Sequence, residues 1–251
     1  MDYKISWILL FMCLIVIYLI SNGIVKELTP NMYVLNTYLY ITLAVLLIGS
    51  VWLGAEDYNL FDEKDVGRNL FILVIVMFGS LFVTLLTSND QNVIKHIAWL
   101  TFVLCLGFTT YLHYKKSVHD DTILKVLCTL LAIMAVLSYV AYTQPLNTFA
   151  SWQKPMMYIL STLIVVEMFD LIFLNKGEDF INRTKIYSWI TILLFSGFVL
   201  YDTQKILSDG IGITASCESK SQIKCADYPK ASLGLVLDAV NLFQALSNVS
   251  R

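Results

Sequence analysis

Two carboxylates stand in apolar stretches long enough to cross a bilayer. Asp202 lies in Leu200-Tyr201-Asp202-Thr203-Gln204, towards the end of an apolar run over 186–206. Asp238 lies in Leu237-Asp238-Ala239-Val240-Asn241-Leu242-Phe243, inside a run over 231–248. A charged Asp at the centre of a membrane helix is unfavourable by about 2.5–3.5 kcal/mol on insertion scales, so it is usually kept for function and needs a partner. The natural partner of Asp202 is Asp238. Asp238 sits about two turns into its helix, counted from the side on which the Asp202 helix ends, so antiparallel neighbours would hold both at similar depth. Two carboxylates held that close cannot both ionise cheaply. One proton should stay with the pair, which then titrates as a unit. With the proton, a shared hydrogen bond clamps two helices. Without it, the charges repel each other and attract cations. That is the chemistry of a pH-sensitive gate, or of a hard-oxygen site in which Asp202 and Asp238 meet calcium. Taken alone, Asp202 is near enough to a helix end to snorkel to the interface.

Other residues could support such a pair. Gly234, Asp238, Asn241, Ala245 and Asn248 recur at spacings of 4, 3, 4 and 3, which makes one small-and-polar stripe on a helix. Such a stripe should face other helices or water, since polar groups facing lipid lose their hydrogen bonds. For Asn241, bonding between helices is the simpler reading. Ser196-Gly197 would allow close helix approach about a turn and a half before Asp202. Glu167 and Asp170, at i and i+3, lie on adjoining parts of one face. Glu167 is the deeper and could line a cation path; Asp170, close to Lys176, could be interfacial. His96 and His113 flank one segment at its two ends, too far apart for a metal site. No cofactor-binding motif is recognisable.

The elements that must position these groups are helical. The chain has 251 residues, 57% hydrophobic and 14% charged, against about 25% charged for an ordinary soluble domain. This is the composition of an integral membrane protein. The net charge of −2 says nothing about a nucleic-acid partner, but no basic block appears, and no nucleic acid is expected. Spanning helices need about 20 mostly apolar residues. Eight segments qualify, at about 5–25, 34–54, 69–87, 95–113, 122–142, 155–175, 186–206 and 231–248, in one integral membrane domain over 1–251. Short connections make neighbouring helices antiparallel. The first apolar run exceeds a signal-peptide core, and no small-x-small cleavage site follows it, so a retained helix is expected. Cys13, Cys105 and Cys128 sit in apolar segments. Cys217 and Cys225 share one polar loop and could pair if it faces an oxidising lumen. With eight spans, ten basic residues lie on the side of the termini and seven on the other. That favours cytoplasmic termini and a lumenal or external cysteine loop.

The run from Leu194 to Ile206, with Ser196-Gly197 and Tyr201-Asp202-Thr203-Gln204, closely resembles the penultimate helix of the transmembrane Bax inhibitor motif family. Asp227-Tyr228-Pro229-Lys230-Ala231-Ser232, followed by Leu237-Asp238 and Asn241-Leu242-Phe243, resembles that family's last helix. The close match covers the C-terminal quarter; earlier helices agree mainly in hydropathy. The resemblance implies an all-α polytopic bundle, with a seven-helix Bax-inhibitor-like core to which the first segment is an addition. It implies a calcium-permeable leak in an internal membrane (endoplasmic reticulum or Golgi) or a bacterial plasma membrane, with suppression of cell death in animals and viruses. It implies that Asp202 and Asp238 are the pore pair whose shared proton sets the closed state. Arg68, near the start of an earlier helix, is the one match to an arginine that latches the pair in some members. The long cysteine-bearing loop and the absence of a lysine-rich stretch after Asn248 depart from the family pattern.

Two other readings compete. An intramembrane aspartyl protease also sets a Tyr-Asp against an Asp on the next helix. Here, however, Gly234-Leu235-Val236-Leu237-Asp238 stands where Gly-x-Gly-Asp is required, and the Pro-Ala-Leu element is absent; no enzyme is expected, and no cofactor beyond a permeant or bound calcium ion. A non-conducting regulator would instead bind membrane-protein partners in cell-death control through the polar stripe.

Overall fold

The computed structural model describes residues 11–19, 28–57, 66–88, 92–173, 178–217 and 225–250. The described chain is helical, with no strand among the described residues. A helical stretch over 11–19 precedes seven named helices. These are α1 (Pro30–Asp57), α2 (Val66–Leu86), α3 (Asn92–His119), α4 (Ile123–Thr143), α5 (Gln153–Phe173), α6 (Glu178–Ser216) and α7 (Tyr228–Val249). A 3-10 turn, Ala150–Trp152, leads into α5. By length and composition, five of them carry spans able to cross a membrane, in α1, α3, α4, α6 and α7. The described apolar run of α2, Phe71–Leu86, is shorter, and α5 carries two carboxylates in its second half.

Polarity decides how enclosed each span is. α4 is the most apolar, and 6% of its span is buried; α7 is the least apolar, and 67% of its span is buried. Lipid cannot satisfy the polar groups Ser232, Asp238, Asn241, Gln244 and Ser247 of α7, so that helix is enclosed by protein. The leucines and valines of α4 need no such partners.

The fold sorts into two compact units, 1–112 with 209–236, and 113–208 with 237–251. The first is built on a file of α1 residues, Tyr33, Asn36 and Tyr40, at helical spacing. Tyr40 stacks on Tyr228 at 5.6 Å and meets Trp99 edge-on at 5.3 Å. Its hydroxyl lies 2.6 Å from His96 Nε2. Asn36 donates to the Tyr228 hydroxyl at 3.1 Å, and the Trp99 indole donates to Ser232 at 3.1 Å. Asp227 caps α7, accepting from the Lys230 N–H at 3.2 Å. Its other oxygen accepts from Lys95 at 2.6 Å, and the Lys95 side chain is only 3% exposed. Lys95 is therefore a buried partner of the α7 cap. Gly107 lets α3 approach α1: a Cβ there would lie 2.8 Å from Val51 Cβ. A disulfide joins Cys217 and Cys225, with Cα atoms 5.9 Å apart, inside the usual range of about 4.4–6.8 Å.

The second unit holds α4, α5, most of α6 and the C-terminal half of α7. Ser117 and Ser247 hydroxyls meet at 2.6 Å. Gly197 again marks a close approach, 2.8 Å from Met156 Sδ to a Cβ built there. Beside it an apolar cavity of about 320 Å³ is lined by Trp152, Met156, Ile159, Ile190, Leu193, Leu194 and Gly197.

Candidate functional site

Asp202 and Asp238 belong to the same unit and come together. Helix α6 is 39 residues long and runs on to Ser216, past the expected end at 206. Lys205, Ser208 and Asp209 made the apolar run look finished, but the helix continues through them. Asp202 is thus about 21 Å from the C-terminal end of its helix, at about 1.5 Å per residue. At 39 residues that helix is longer than a hydrocarbon core of about 30 Å is thick, so its end does not mark the interface. Asp238 is 3% exposed, and Asp202 is half-buried.

The two carboxyl groups face each other closely enough to share a side-chain hydrogen bond. Ionised carboxylates only accept hydrogen bonds, so such a bond requires that one of the pair carry a proton. Asp238 Oδ2 is buried and has no hydrogen-bond partner among the described residues. A bare charge there would be solvated by nothing. The exposed Lys205, on the same helix, acts on Asp202 through its charge.

The residues after Asp202 each reach a different neighbour. The Thr203 hydroxyl meets that of Ser138 in α4 at 3.3 Å. The Gln204 amide donates to Pro145 O at 2.9 Å and Ala141 O at 3.3 Å, and its oxygen accepts from the Phe149 N–H at 3.1 Å. One turn of α6 thereby carries the carboxyl pair, a contact to α4 and a hold on the α4–α5 connection.

The other expected residues separate. Asp170 is 3% exposed and pairs with Arg183, whose Nε lies 2.9 Å from Oδ1 and donates to Oδ2 at 3.1 Å. Asp170 is therefore a buried ion-pair member. Glu167 is exposed among Val165, Val166, Met168 and Phe169, and no hydrogen bond or ion pair of it occurs among the described residues. A single helical turn puts the two carboxylates on differently buried sides, because only Asp170 meets a cation. Asn241 donates to Leu237 O of its own helix at 2.8 Å, so that bond holds no second helix. Gly234, Asn241 and Asn248 are half-buried, while Asp238 and Ala245 are buried; the expected stripe is not one face of uniform environment. Tyr201 is half-buried. Arg68 lies in α2, and its side chain falls outside the described residues.

Arg183 and Gln204 carried no assigned role from the sequence alone. A signal existed for Arg183: a lone arginine across a short connection from an intramembrane aspartate. For Gln204 the signal was a proline at 145, whose missing N–H leaves a helix-end carbonyl short of a donor. Among the described residues no cluster of three or more His, Cys, Asp or Glu is placed to hold a metal. Two carboxyl groups offer four oxygens, short of the 6–8 of a resident calcium.

A family model described as inhibitor of apoptosis-promoting Bax1 matches residues 30–249. It begins at the first residue of α1 and takes in all seven named helices. The comparison with curated proteins finds no match. With the family model spanning nearly the whole chain over an all-helical set of apolar spans, this multi-pass membrane protein belongs to the Bax inhibitor (transmembrane Bax inhibitor motif) family.

Proposed function

We propose that the protein is a pH-sensitive calcium leak channel, in which the proton shared by Asp202 and Asp238 holds the closed state. The observation that carries this reading is the approach of two carboxyl groups on different helices, close enough to share a side-chain hydrogen bond. That bond requires a proton. Removing it leaves two negative charges side by side, which repel each other and draw in a cation. Flux should therefore rise as pH rises through the titration of the pair. The charged and titratable groups acting on Asp202 are Asp238 from α7 and Lys205 from its own helix; α4 presents Ser138, which does not titrate. Calcium is cargo here and not a resident cofactor. The setting is the bilayer of the endoplasmic reticulum or Golgi, or a bacterial plasma membrane. Modulated calcium release there would suppress cell death, with membrane-protein partners and without enzymatic chemistry.

The test is calcium flux in proteoliposomes across pH. Wild type should conduct more as pH rises. In Asp202→Asn or Asp238→Asn the amide donates permanently to the remaining carboxylate, so flux should stay low with no pH response. Wild-type flux and pH response in both variants would remove the pair from the pore. A purified protein that conducts at no pH, yet captures a death-regulating membrane protein, would favour the regulator instead.

A further inference from the structure

Helix α4 ends at Thr143, and Gln144 turns to extended backbone with ψ 154°. The N–H that would bond Ala141 O in a continuing helix belongs to residue 145, which is proline and has none. Helix-end carbonyls that lack an internal partner must find one elsewhere. Gln204 supplies it, donating to Ala141 O and also to Pro145 O. Its oxygen meets the Phe149 N–H. The amide is 3% exposed and spans both ends of the connection. The connection is itself tightly folded. Thr148 Oγ1 donates to Pro145 O at 2.6 Å, Asn147 takes φ 68°, and buried Phe149 packs edge-on against Trp152 at 5.0 Å. Asn accepts that left-handed conformation more readily than most residues. Gln204 thus grips a small rigid body from the same turn of α6 that presents Asp202 to Asp238.

We infer that Gln204 is a positioning residue that makes the 144–149 connection move with the Asp202–Asp238 pair, so that forming or breaking the carboxyl bond is transmitted to that connection. The inference rests on the gating role proposed for the pair. Asp202 moves with its turn of helix, and Gln204, two residues on, carries that movement to the connection through two hydrogen bonds, with a third to Ala141 O at the end of α4. The groups that titrate or carry charge around this turn are Asp202, Asp238 and Lys205; the connection offers Gln204 only backbone groups.

Hydrogen exchange of the 144–152 peptide, at pH values on either side of the flux midpoint, tests this together with calcium flux in the same proteoliposomes. Each exchange rate is divided by the intrinsic amide rate at its pH, and in wild type this protection-corrected rate should change severalfold between the two pH values. Gln204→Leu removes donor and acceptor alike. It should speed exchange roughly tenfold at both pH values, by loss of these hydrogen bonds, erase the pH difference and move the flux midpoint. Gln204→Asn, with the amide on a shorter stem, should restore part of the protection and part of the midpoint; it also carries the test if the leucine variant does not fold. Wild-type pH dependence of exchange in Gln204→Leu would overturn the inference. So would flux lowered equally at every pH with an unmoved midpoint, since that is the mark of a merely structural role. Asp202→Asn separates the two claims. If its flux profile is wild-type, the gating reading has failed. The Gln204 coupling then stands if the pH-linked exchange of wild type disappears in Asp202→Asn, and falls if it persists.

Discussion

Asp170 and Arg183 form an ion pair whose removal has a definite sign. Arg183→Ala leaves the Asp170 carboxylate, 3% exposed, without its cation. Breaking a fully buried pair is destabilising by about 3–5 kcal/mol. The Arg183 side chain is 29% exposed, so about 2 kcal/mol is expected after solvent screening, read as earlier thermal unfolding in detergent. Lys95→Met acts on a drier pair and should reach about 3 kcal/mol, with Lys95→Met/Asp227→Asn recovering part of the loss. These residues show what was legible at this scale. Asp202 and Asp238 stood out because carboxylates are rare in apolar runs, and their pairing followed from matching depth. Glu167 and Asp170 looked alike because residue type and spacing do not reveal which one meets a cation. Burial of the Lys95 ammonium was not legible, because it depends on Asp227, 132 residues away.

At the scale of elements, close approach at glycine fixes two helix contacts. A methyl added at Gly107 meets Val51 Cβ at 2.8 Å. Gly107→Ala should therefore destabilise by about 1–3 kcal/mol, as overpacking does. Val51→Ala in the same chain should restore much of that, and thermal unfolding of the single and double variants measures both. The helices themselves were readable from apolar length, because a bilayer demands about 20 such residues. Their ends were not. Lys205, Ser208 and Asp209 interrupt the apolar run and read as a boundary, yet α6 continues to Ser216, since a helix needs only its backbone bonds to go on. The enclosure of α7 was foreshadowed by its polar residues. Its stripe was not uniform, because a helix covered on most sides no longer has a single polar face, and Asn241 turned to its own backbone.

For the whole molecule, the disulfide and the shared proton carry the distinctive predictions. Of the 5 cysteines, Cys13, Cys105 and Cys128 are free and Cys217 is bonded to Cys225. Alkylation of the unfolded protein should therefore label three thiols without reductant and five with it, as mass spectrometry reads directly. The pairing could be posed from the sequence but not decided, because it depends on which side of the membrane the loop occupies. The family was legible in the two C-terminal helices, and the matched region extends it across α1 to α7. The central claim concerns one proton, and infrared titration of the carboxylic C=O band in the proteoliposomes used for flux reads it most directly. The account predicts a protonated-carboxyl band that vanishes with a midpoint coincident with the rise in calcium flux, and that is absent at those pH values in Asp202→Asn and in Asp238→Asn. A flux that rises while the band stays, or a band unchanged in both variants, would contradict it.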